Sequence, residues 1–306
     1  MTRLAVWVHG ARPRTLGASL TPVVVGTAAA GNAIAWRFAA AALVGLGLQV
    51  GVNYANDFHD GVRGVDTRQR LGPPRLTSSG MASPRAVLVA ALLCVLAAGV
   101  AGLALAFATT LWLVPIGAVA MLALWLYSGG PRPYAELGLG ELMVFLFFGL
   151  MATAGTSYVH AETVSAAAWW SSVTMGLLAV AILVANNLRD IPTDAASGKR
   201  TLAVRLGDGR TRVLYRVLVI GAFACVALGV LVGVADRRYG LSQWSLLALV
   251  AWPLAIRPME QVGKAGGRAQ RSTPSPERSP TPTCRNWRIA GETSWRAPAW
   301  SRSTGS

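Results

Sequence analysis

Long apolar stretches alternate with short polar ones along most of the chain. Eight stretches have the roughly 15–25 residues that a helix needs to cross about 30 Å of hydrocarbon. Because lipid offers no water to pair with the backbone, such stretches are expected to be helices. They cover about residues 16–35, 38–56, 86–108, 111–127, 141–160, 168–188, 213–235 and 242–256. The pattern predicts an all-α, polytopic transmembrane bundle of eight helices.

The composition agrees with a membrane protein, and the charge has a topological explanation. The 306 residues are 53% hydrophobic and 13% charged, whereas soluble proteins carry about 25% charged residues. The net charge of +15 comes largely from alternate loops, while the other loops hold only Arg37, Arg237 and Arg238. This positive-inside bias predicts a cytoplasmic N-terminus. The charge therefore needs no nucleic acid as partner, and no nucleic-acid-binding motif is present.

Two polar clusters follow apolar stretches, at helix ends predicted to be cytoplasmic. The first lies in "NYANDFHDGVRGVD" (53–66), where positions i, i+3, i+4 and i+7 share one helical face and hold Asn53, Asn56, Asp57 and Asp60. The second lies in "NNLRDIPTD" (186–194), where positions i, i+4 and i+8 hold Asn186, Asp190 and Asp194. Pro192 is expected to end or kink that helix. We expect the two clusters to meet across one cavity.

The residue types in the clusters indicate a chemistry. Ionisable groups near a membrane are costly and by default suggest function. Ligand sets made of Asp and Asn oxygens, without Cys or His, suit Mg²⁺, which usually completes its shell with water and substrate phosphate oxygens. Neighbouring cations could neutralise the remaining phosphate charge; these are Arg75, Arg189, Lys199 and Arg200. The clusters therefore predict a diphosphate site at the mouth of the bundle.

The two clusters carry a resemblance to a known family. "NDFHD" followed by Asp66, together with "RDIPTD", resembles the two aspartate-rich motifs of the UbiA-type intramembrane prenyltransferases. The resemblance implies an enzyme that binds a prenyl diphosphate through Mg²⁺ and transfers the prenyl chain to an aromatic or other lipid precursor. It also implies a bundle whose usual number of transmembrane helices is nine.

Further stretches narrow the resemblance to one branch of that family. These are "GARPRTLGASLTPVVVGTA" (10–28), "LYSGGPRPYAELGLGE" (126–141), "FLFFGLMATAGTSYV" (145–159) and "NNLRDIPTDAASGKRTLAVRLG" (186–207). They are similar to the menaquinone-pathway branch, over about residues 5–262. That branch implies polyprenyl diphosphate and 1,4-dihydroxy-2-naphthoate as substrates, demethylmenaquinol as product after decarboxylation, and a place in the inner (plasma) membrane among its lipids.

The resemblance also implies roles for individual residues. Catalytic metal ligands would be Asp57, Asp60, Asp190 and Asp194. Substrate-binding residues would be Asn53, Asn56, Asp66, Arg75, Asn187, Lys199 and Arg200. Arg12 and Arg14 precede the first apolar stretch and could instead face the carboxylate of the acceptor.

The C-terminal part departs from the family pattern. We expect a transmembrane prenyltransferase domain at 1–262 and a disordered basic tail, rich in Ser and Pro, at 263–306. No stretch in this tail could form the ninth helix. Two interpretations stay open, namely an out-of-frame reading of a former ninth helix and a genuine tail that touches anionic lipid.

Two alternative functions stay open at this point. One is a prenyltransferase of the same family with another aromatic or a phosphosugar acceptor. The other is a cation-coupled transporter. Transport carboxylates usually lie in the middle of the membrane, whereas these carboxylates lie at helix ends beside Arg and Lys, as an anionic substrate requires.

Overall fold

The computed structural model describes residues 2–63, 75–130 and 133–271. The regular structure of these residues is helical throughout. The helices are α1 (Arg3–Ala11), α2 (Pro13–Ala29), α3 (Ala35–Val62), α4 (Pro84–Ala108), α5 (Leu113–Ser128), α6 (Gly140–Ala161), α7 (Ala166–Ala196), α8 (Leu202–Ala235) and α9 (Trp252–Arg271). A π-helical stretch, Phe145–Met151, interrupts α6, and a 3₁₀ segment, Gln243–Ala251, precedes α9.

The predicted all-α membrane bundle is confirmed. Five helices, α3, α4, α6, α7 and α8, are long and apolar enough to cross a membrane, and α5 is a shorter apolar helix. Each of the eight predicted stretches contains a helix. The described residues form nine helices, α1 to α9, and the one that was not predicted is α1. Its sequence, "RLAVWVHGA", is too short for the spanning pattern that identified the others.

Helix α9 crosses the position at which the sequence predicted the start of a tail. The backbone of α9 stays helical to Arg271, nine residues into the predicted tail. Residues 272–306 lie outside the described residues. The division into a domain at 1–262 and a disordered tail at 263–306 therefore stays a prediction.

Side-chain caps start the helices that follow the polar loops. Ser83, Ser165 and Thr201 each accept a hydrogen bond from a backbone N–H in the first turn of α4, α7 and α8, respectively. Such caps satisfy N–H groups that have no partner inside the helix. The loops that carry the polar clusters are therefore fixed at the points where they enter the next helix.

Glycines allow the central helices to approach closely. α6 passes α7 where Gly149 contacts the backbone of Gly176, and α2 passes α6 where Gly26 contacts the carbonyl of Thr153. A side chain at either glycine would meet backbone atoms, which cannot rotate away. Small residues of this kind let membrane helices pack by van der Waals contact, since lipid provides no hydrophobic force between them.

We expect Gly149→Ala to destabilise the bundle, because its methyl group would overlap Gly176 and lie 3.1 Å from the carbonyl oxygen of Ser172. Overpacking of this kind costs typically about 1–3 kcal/mol. Thermal unfolding of the detergent-solubilised protein measures the loss. Gly155→Ala in the same helix is the matched control, since no atom lies within 4 Å of the added carbon. Equal losses for the two variants would contradict the assigned packing.

Candidate active site

One large cavity, of about 1060 Å³, lies between helices α1 to α7. Most of its wall is apolar and includes Val23, Leu105 and Phe147. Along α3 the wall reaches from Ala41 to Asp60, which corresponds to roughly 28 Å of helix. The cavity is therefore about as long as the hydrocarbon core of a membrane is thick, and charged side chains gather at its Asp60 end.

Asp60 joins cations from two separate segments of the chain. Its carboxylate is 3% exposed and accepts hydrogen bonds from Arg75 Nη2 at 3.1 Å and from Lys199 Nζ at 3.0 Å. Lys199 follows α7, and its backbone N–H donates to the carbonyl of Asp194 at 2.9 Å. Asp60, Asp190 and Asp194 all line the cavity. The two polar clusters therefore meet at one end of one cavity, as the sequence predicted.

The second cluster stays on a continuous helix. Pro192 does not end α7, which continues to Ala196, so of the two expected effects, a helix end or a kink, the helix end is wrong. The continued helix carries Asp194 as well as Asp190 to the cavity wall. Arg189 donates to both carboxylate oxygens of Asp190, from Nε at 2.8 Å and from Nη2 at 3.0 Å. Arg189 also lines the cavity and brings a further cation to the cluster.

A buried carboxylate orients the amide of Asn187. Asn187 lines the cavity, and its Nδ2 donates to Oε1 of Glu141 at 3.0 Å. Glu141 is 8% exposed and lies behind Asn187 at the start of α6. Because the Asn187 amide nitrogen donates to Glu141, its amide oxygen is turned away from that side chain. In the sequence, Glu141 stands out as a single acidic residue at the start of an apolar stretch. The spacing of the residues did not indicate that Asn187 is its partner.

Asp57 points toward a turn rather than into the cavity. Its Oδ2 accepts from the backbone N–H of Leu76 at 2.8 Å and its Oδ1 accepts from that of Thr77 at 2.9 Å. The side chain is 1% exposed and is not part of the cavity wall. These bonds fix the turn that carries Arg75. The role of Asp57 as a metal ligand stays a prediction, whereas its observed contacts position Arg75 beside Asp60.

Asn53 likewise contacts backbone and hydroxyl groups of a neighbouring segment. Its Nδ2 donates to the carbonyl of Ala11 at 2.9 Å and to Thr15 Oγ1 at 3.1 Å. The next residue, Tyr54, donates its hydroxyl to the carbonyl of Trp7 at 2.8 Å. These bonds attach the corner between α1 and α2 to α3, so Asn53 shapes the cavity rim through that corner.

The remaining predicted residues have different positions. Asn56 lines the cavity, and its buried Oδ1 has no hydrogen-bond partner among the residues that the structure describes. Arg200 is exposed, outside the cavity wall. Asp66 lies outside the described residues. A residue without a predicted role, Tyr134, lines the cavity, and burial raises its pKa to about 12, so its hydroxyl stays protonated as a donor.

The donor set fits a hard divalent cation that a substrate helps to bind. Among the described residues, no group of three or more His, Cys, Asp or Glu side chains is arranged to hold a metal by itself. The cavity instead offers separate oxygens, from Asn56, Asp60, Asp190 and Asp194. The buried Oδ1 of Asn56, which has no hydrogen-bond partner in the described part of the chain, is a group that a cation would satisfy. Mg²⁺ commonly takes few protein ligands and several phosphate or water oxygens, which agrees with this arrangement.

Comparison with known proteins identifies relatives along most of the chain. The model of the UbiA prenyltransferase family matches residues 19–265. The chain is 47% identical to the 1,4-dihydroxy-2-naphthoate octaprenyltransferase of Mycobacterium tuberculosis, over 88% of this chain and 90% of that protein. It is 34% identical to the Escherichia coli protein of the same name, over 86% of each.

Solved structures have the same fold. The structure of a UbiA homolog from Archaeoglobus fulgidus bound to GPP and Mg²⁺ superimposes with a TM-score of 0.60 at 16% identity, covering 83% of this chain and 84% of that one. A digeranylgeranylglyceryl phosphate synthase gives a TM-score of 0.54 at 15% identity, covering 86% and 88%.

We expect Asp57→Asn to destabilise the folded protein, because its amide nitrogen would face a backbone N–H that now has an acceptor. Losing a hydrogen bond to a charged group costs roughly 1.5–3 kcal/mol. Thermal unfolding in detergent measures the change. Asp194→Asn, on the cavity wall, is the comparison and should change the unfolding temperature much less. Equal unfolding temperatures for the two variants would rule out a structural role for Asp57.

Proposed function

Because the chain belongs to the UbiA prenyltransferase family, we propose that it transfers a polyprenyl chain from polyprenyl diphosphate to 1,4-dihydroxy-2-naphthoate. The reaction releases diphosphate, releases the carboxylate as carbon dioxide, and gives demethylmenaquinol. The observation that carries the proposal is an apolar cavity as long as the membrane is thick, with cations and carboxylates at one end. Such a cavity fits a substrate that has a long apolar chain with a diphosphate at one end. The names of the relatives support the naphthoate acceptor.

The charged end of the cavity is the proposed diphosphate site. Arg75 and Lys199 are held there by Asp60 and can stabilise the charge that develops on the departing diphosphate. Asn56, Asp60, Asp190 and Asp194 would hold Mg²⁺. When bound, Mg²⁺ supplies Lewis-acid stabilisation of the phosphate oxygens. Neighbouring Asn187 would present its amide oxygen to the same region.

The apolar part of the cavity is the proposed place of the prenyl chain and of bond formation. Its wall excludes water, which would otherwise capture the allylic cation that forms as the carbon–oxygen bond loosens. The electron-rich ring of the acceptor then attacks the allylic carbon at the position that carries the carboxylate. The carboxylate leaves as carbon dioxide, and the electron pair of the broken bond returns to the ring. The chain is a multi-pass membrane protein, and we propose the plasma (inner) membrane as its location, with the Asp60 end on the cytoplasmic side.

We expect Asp190→Asn to abolish prenyl transfer while the protein stays folded, because asparagine keeps the shape but removes the charge that holds Mg²⁺. A Lewis-acid metal contributes several kcal/mol, so turnover should fall by about a thousandfold or more. Prenylated naphthoquinol formed in purified membranes is the readout, and chelation of divalent ions should give the same loss. Full turnover without divalent metal would disprove the proposed metal–diphosphate site.

The two neighbouring cations after α7 should differ in importance. Lys199 contacts Asp60 in the cavity, whereas Arg200 is exposed outside its wall. We expect Lys199→Ala to raise the KM for polyprenyl diphosphate at least tenfold and Arg200→Ala to change it less than twofold. Equal effects would show that the cavity geometry does not determine which cation meets the diphosphate.

The Glu141–Asn187 pair allows a test by exchange of the amide and the carboxylate. Asn187→Asp alone should be inactive, because two carboxylates would face each other 3.0 Å apart. Adding Glu141→Gln restores a donor–acceptor pair and leaves one oxygen of the new aspartate turned away from residue 141. The double variant should regain at least tenfold in turnover over Asn187→Asp and recover stabilisation against heat by Mg²⁺ with diphosphate. Equal turnover and equal stabilisation by Mg²⁺ with diphosphate in the double and the single variant would show that Glu141 does not act through Asn187.

A further inference from the structure

The corner between α1 and α2 holds a residue in a strained conformation. Arg12 has φ 53° and ψ 69°, in the left-handed region that residues other than glycine rarely adopt. Its backbone N–H donates to the carbonyl of His9 at 3.1 Å, and its own carbonyl accepts from the backbone N–H of Thr15 at 2.8 Å. Non-glycine residues in such conformations persist where the surroundings hold them, and they gather at binding and catalytic sites.

Contacts with the rest of the bundle hold this corner in place. Asn53 binds the residue before Arg12, through the carbonyl of Ala11, and also binds the hydroxyl of Thr15. Gly10, at the end of α1, lies so close to Leu76 that an added Cβ would stand 2.5 Å from its Cδ1 atom. The corner therefore cannot relax without disturbing α3 and the turn after it. The position of Arg12 is fixed by the fold.

The corner adds cations to the cavity wall besides those held at Asp60. Arg12 and Arg14 both line the cavity. Asn53, which binds the backbone of the corner, lies two turns before Asp60 on α3, about 10 Å along the helix. Arg75 and Lys199 are held at Asp60 by its two carboxylate oxygens. The backbone of the corner and the Asp60 carboxylate are therefore attached to different turns of α3, and each brings arginine or lysine to the cavity.

We propose that Arg12 binds the carboxylate of the aromatic acceptor, with Arg14 adding positive charge nearby. This inference rests on the proposed function, in which one substrate carries a diphosphate and the other a carboxylate. A guanidinium forms two parallel hydrogen bonds with a carboxylate, and so sets the direction of the attached ring as well as its affinity. Held at the corner, the ring would lie over the apolar wall while the allylic carbon lies beside Asp60.

The strain at Arg12 provides a variant that tests this role without unfolding the protein. Glycine adopts positive φ without steric cost, so Arg12→Gly should unfold at the same or a higher temperature than the unchanged protein. The same variant lacks the guanidinium. We expect its KM for 1,4-dihydroxy-2-naphthoate to rise at least tenfold and its KM for polyprenyl diphosphate to change less than twofold. Glu162→Gly is the matched control, since Glu162 is also a non-glycine residue with positive φ (57°) and lies outside the cavity wall, and it should leave both KM values unchanged.

A pair of non-reacting probes separates the carboxylate from the ring. 1-Hydroxy-2-naphthoate carries the carboxylate and 1-hydroxy-2-naphthamide does not, and binding of each can be measured by calorimetry in detergent even without turnover. Arg12→Gly should weaken the carboxylate probe at least tenfold and the amide probe less than twofold. Arg12→Lys keeps the charge but not the paired donors. Its affinity for the carboxylate probe should therefore lie between those of the unchanged protein and of Arg12→Gly. Equal weakening of the two probes, or a raised KM for diphosphate alone, would overturn the proposal.

The outcome for this inference is distinct from that for the proposed function. If the unchanged protein forms no prenylated product with any acceptor, the proposed function fails, whatever Arg12 binds. If the unchanged protein is active and Arg12→Gly keeps its acceptor KM and its affinity for the carboxylate probe, the inference fails alone.

Discussion

The arrangement of the cavity depends on one buried carboxylate that holds two cations. Asp60 lies at the end of α3, and its oxygens bind Arg75 from the turn before α4 and Lys199 from the segment after α7. Breaking such a buried pair on one side leaves an uncompensated charge, which is strongly destabilising. The ends of three helices are therefore fixed relative to one another by the need to neutralise Asp60. The same constraint places positive charge where a diphosphate would end.

Neighbouring residues on the polar face of α3 contact different parts of the protein. Asn53, Asn56 and Asp60 line the cavity, and Asn53 also binds the α1–α2 corner, whereas Asp57 binds the turn that carries Arg75. A helix with residues at i, i+3, i+4 and i+7 presents one face, but that face is wide enough to touch two partners as well as the cavity. Residues that look equivalent in a motif thus contact different groups, and Asn53 and Asp57 bind the segments that carry Arg12 and Arg75.

The sequence predicted most of the fold because membrane helices are specified by local apolarity. Each predicted stretch contains a helix, and the two polar clusters were placed at one end of the bundle by the positive-inside bias. The exceptions have physical reasons. α1 is too short for a spanning pattern, and α7 continues past Pro192. The Glu141–Asn187 pair, the contacts of Asp57 and the strain at Arg12 depend on tertiary contacts, which a single sequence does not display.

The described wall of the cavity also separates the chemistry from the C-terminal part of the chain. Its residues lie between Ala5 and Thr201, so within the described residues the helices α8 and α9 support the bundle from outside, apart from the Thr201 cap. α8 packs along α7, which carries Asp190 and Asp194, and α9 contacts α8. A change beyond α8 would therefore reach the site through the placement of α7 rather than through a lost ligand. The predicted division after residue 262 would thus bear first on stability, since no residue of the described cavity wall lies beyond Thr201.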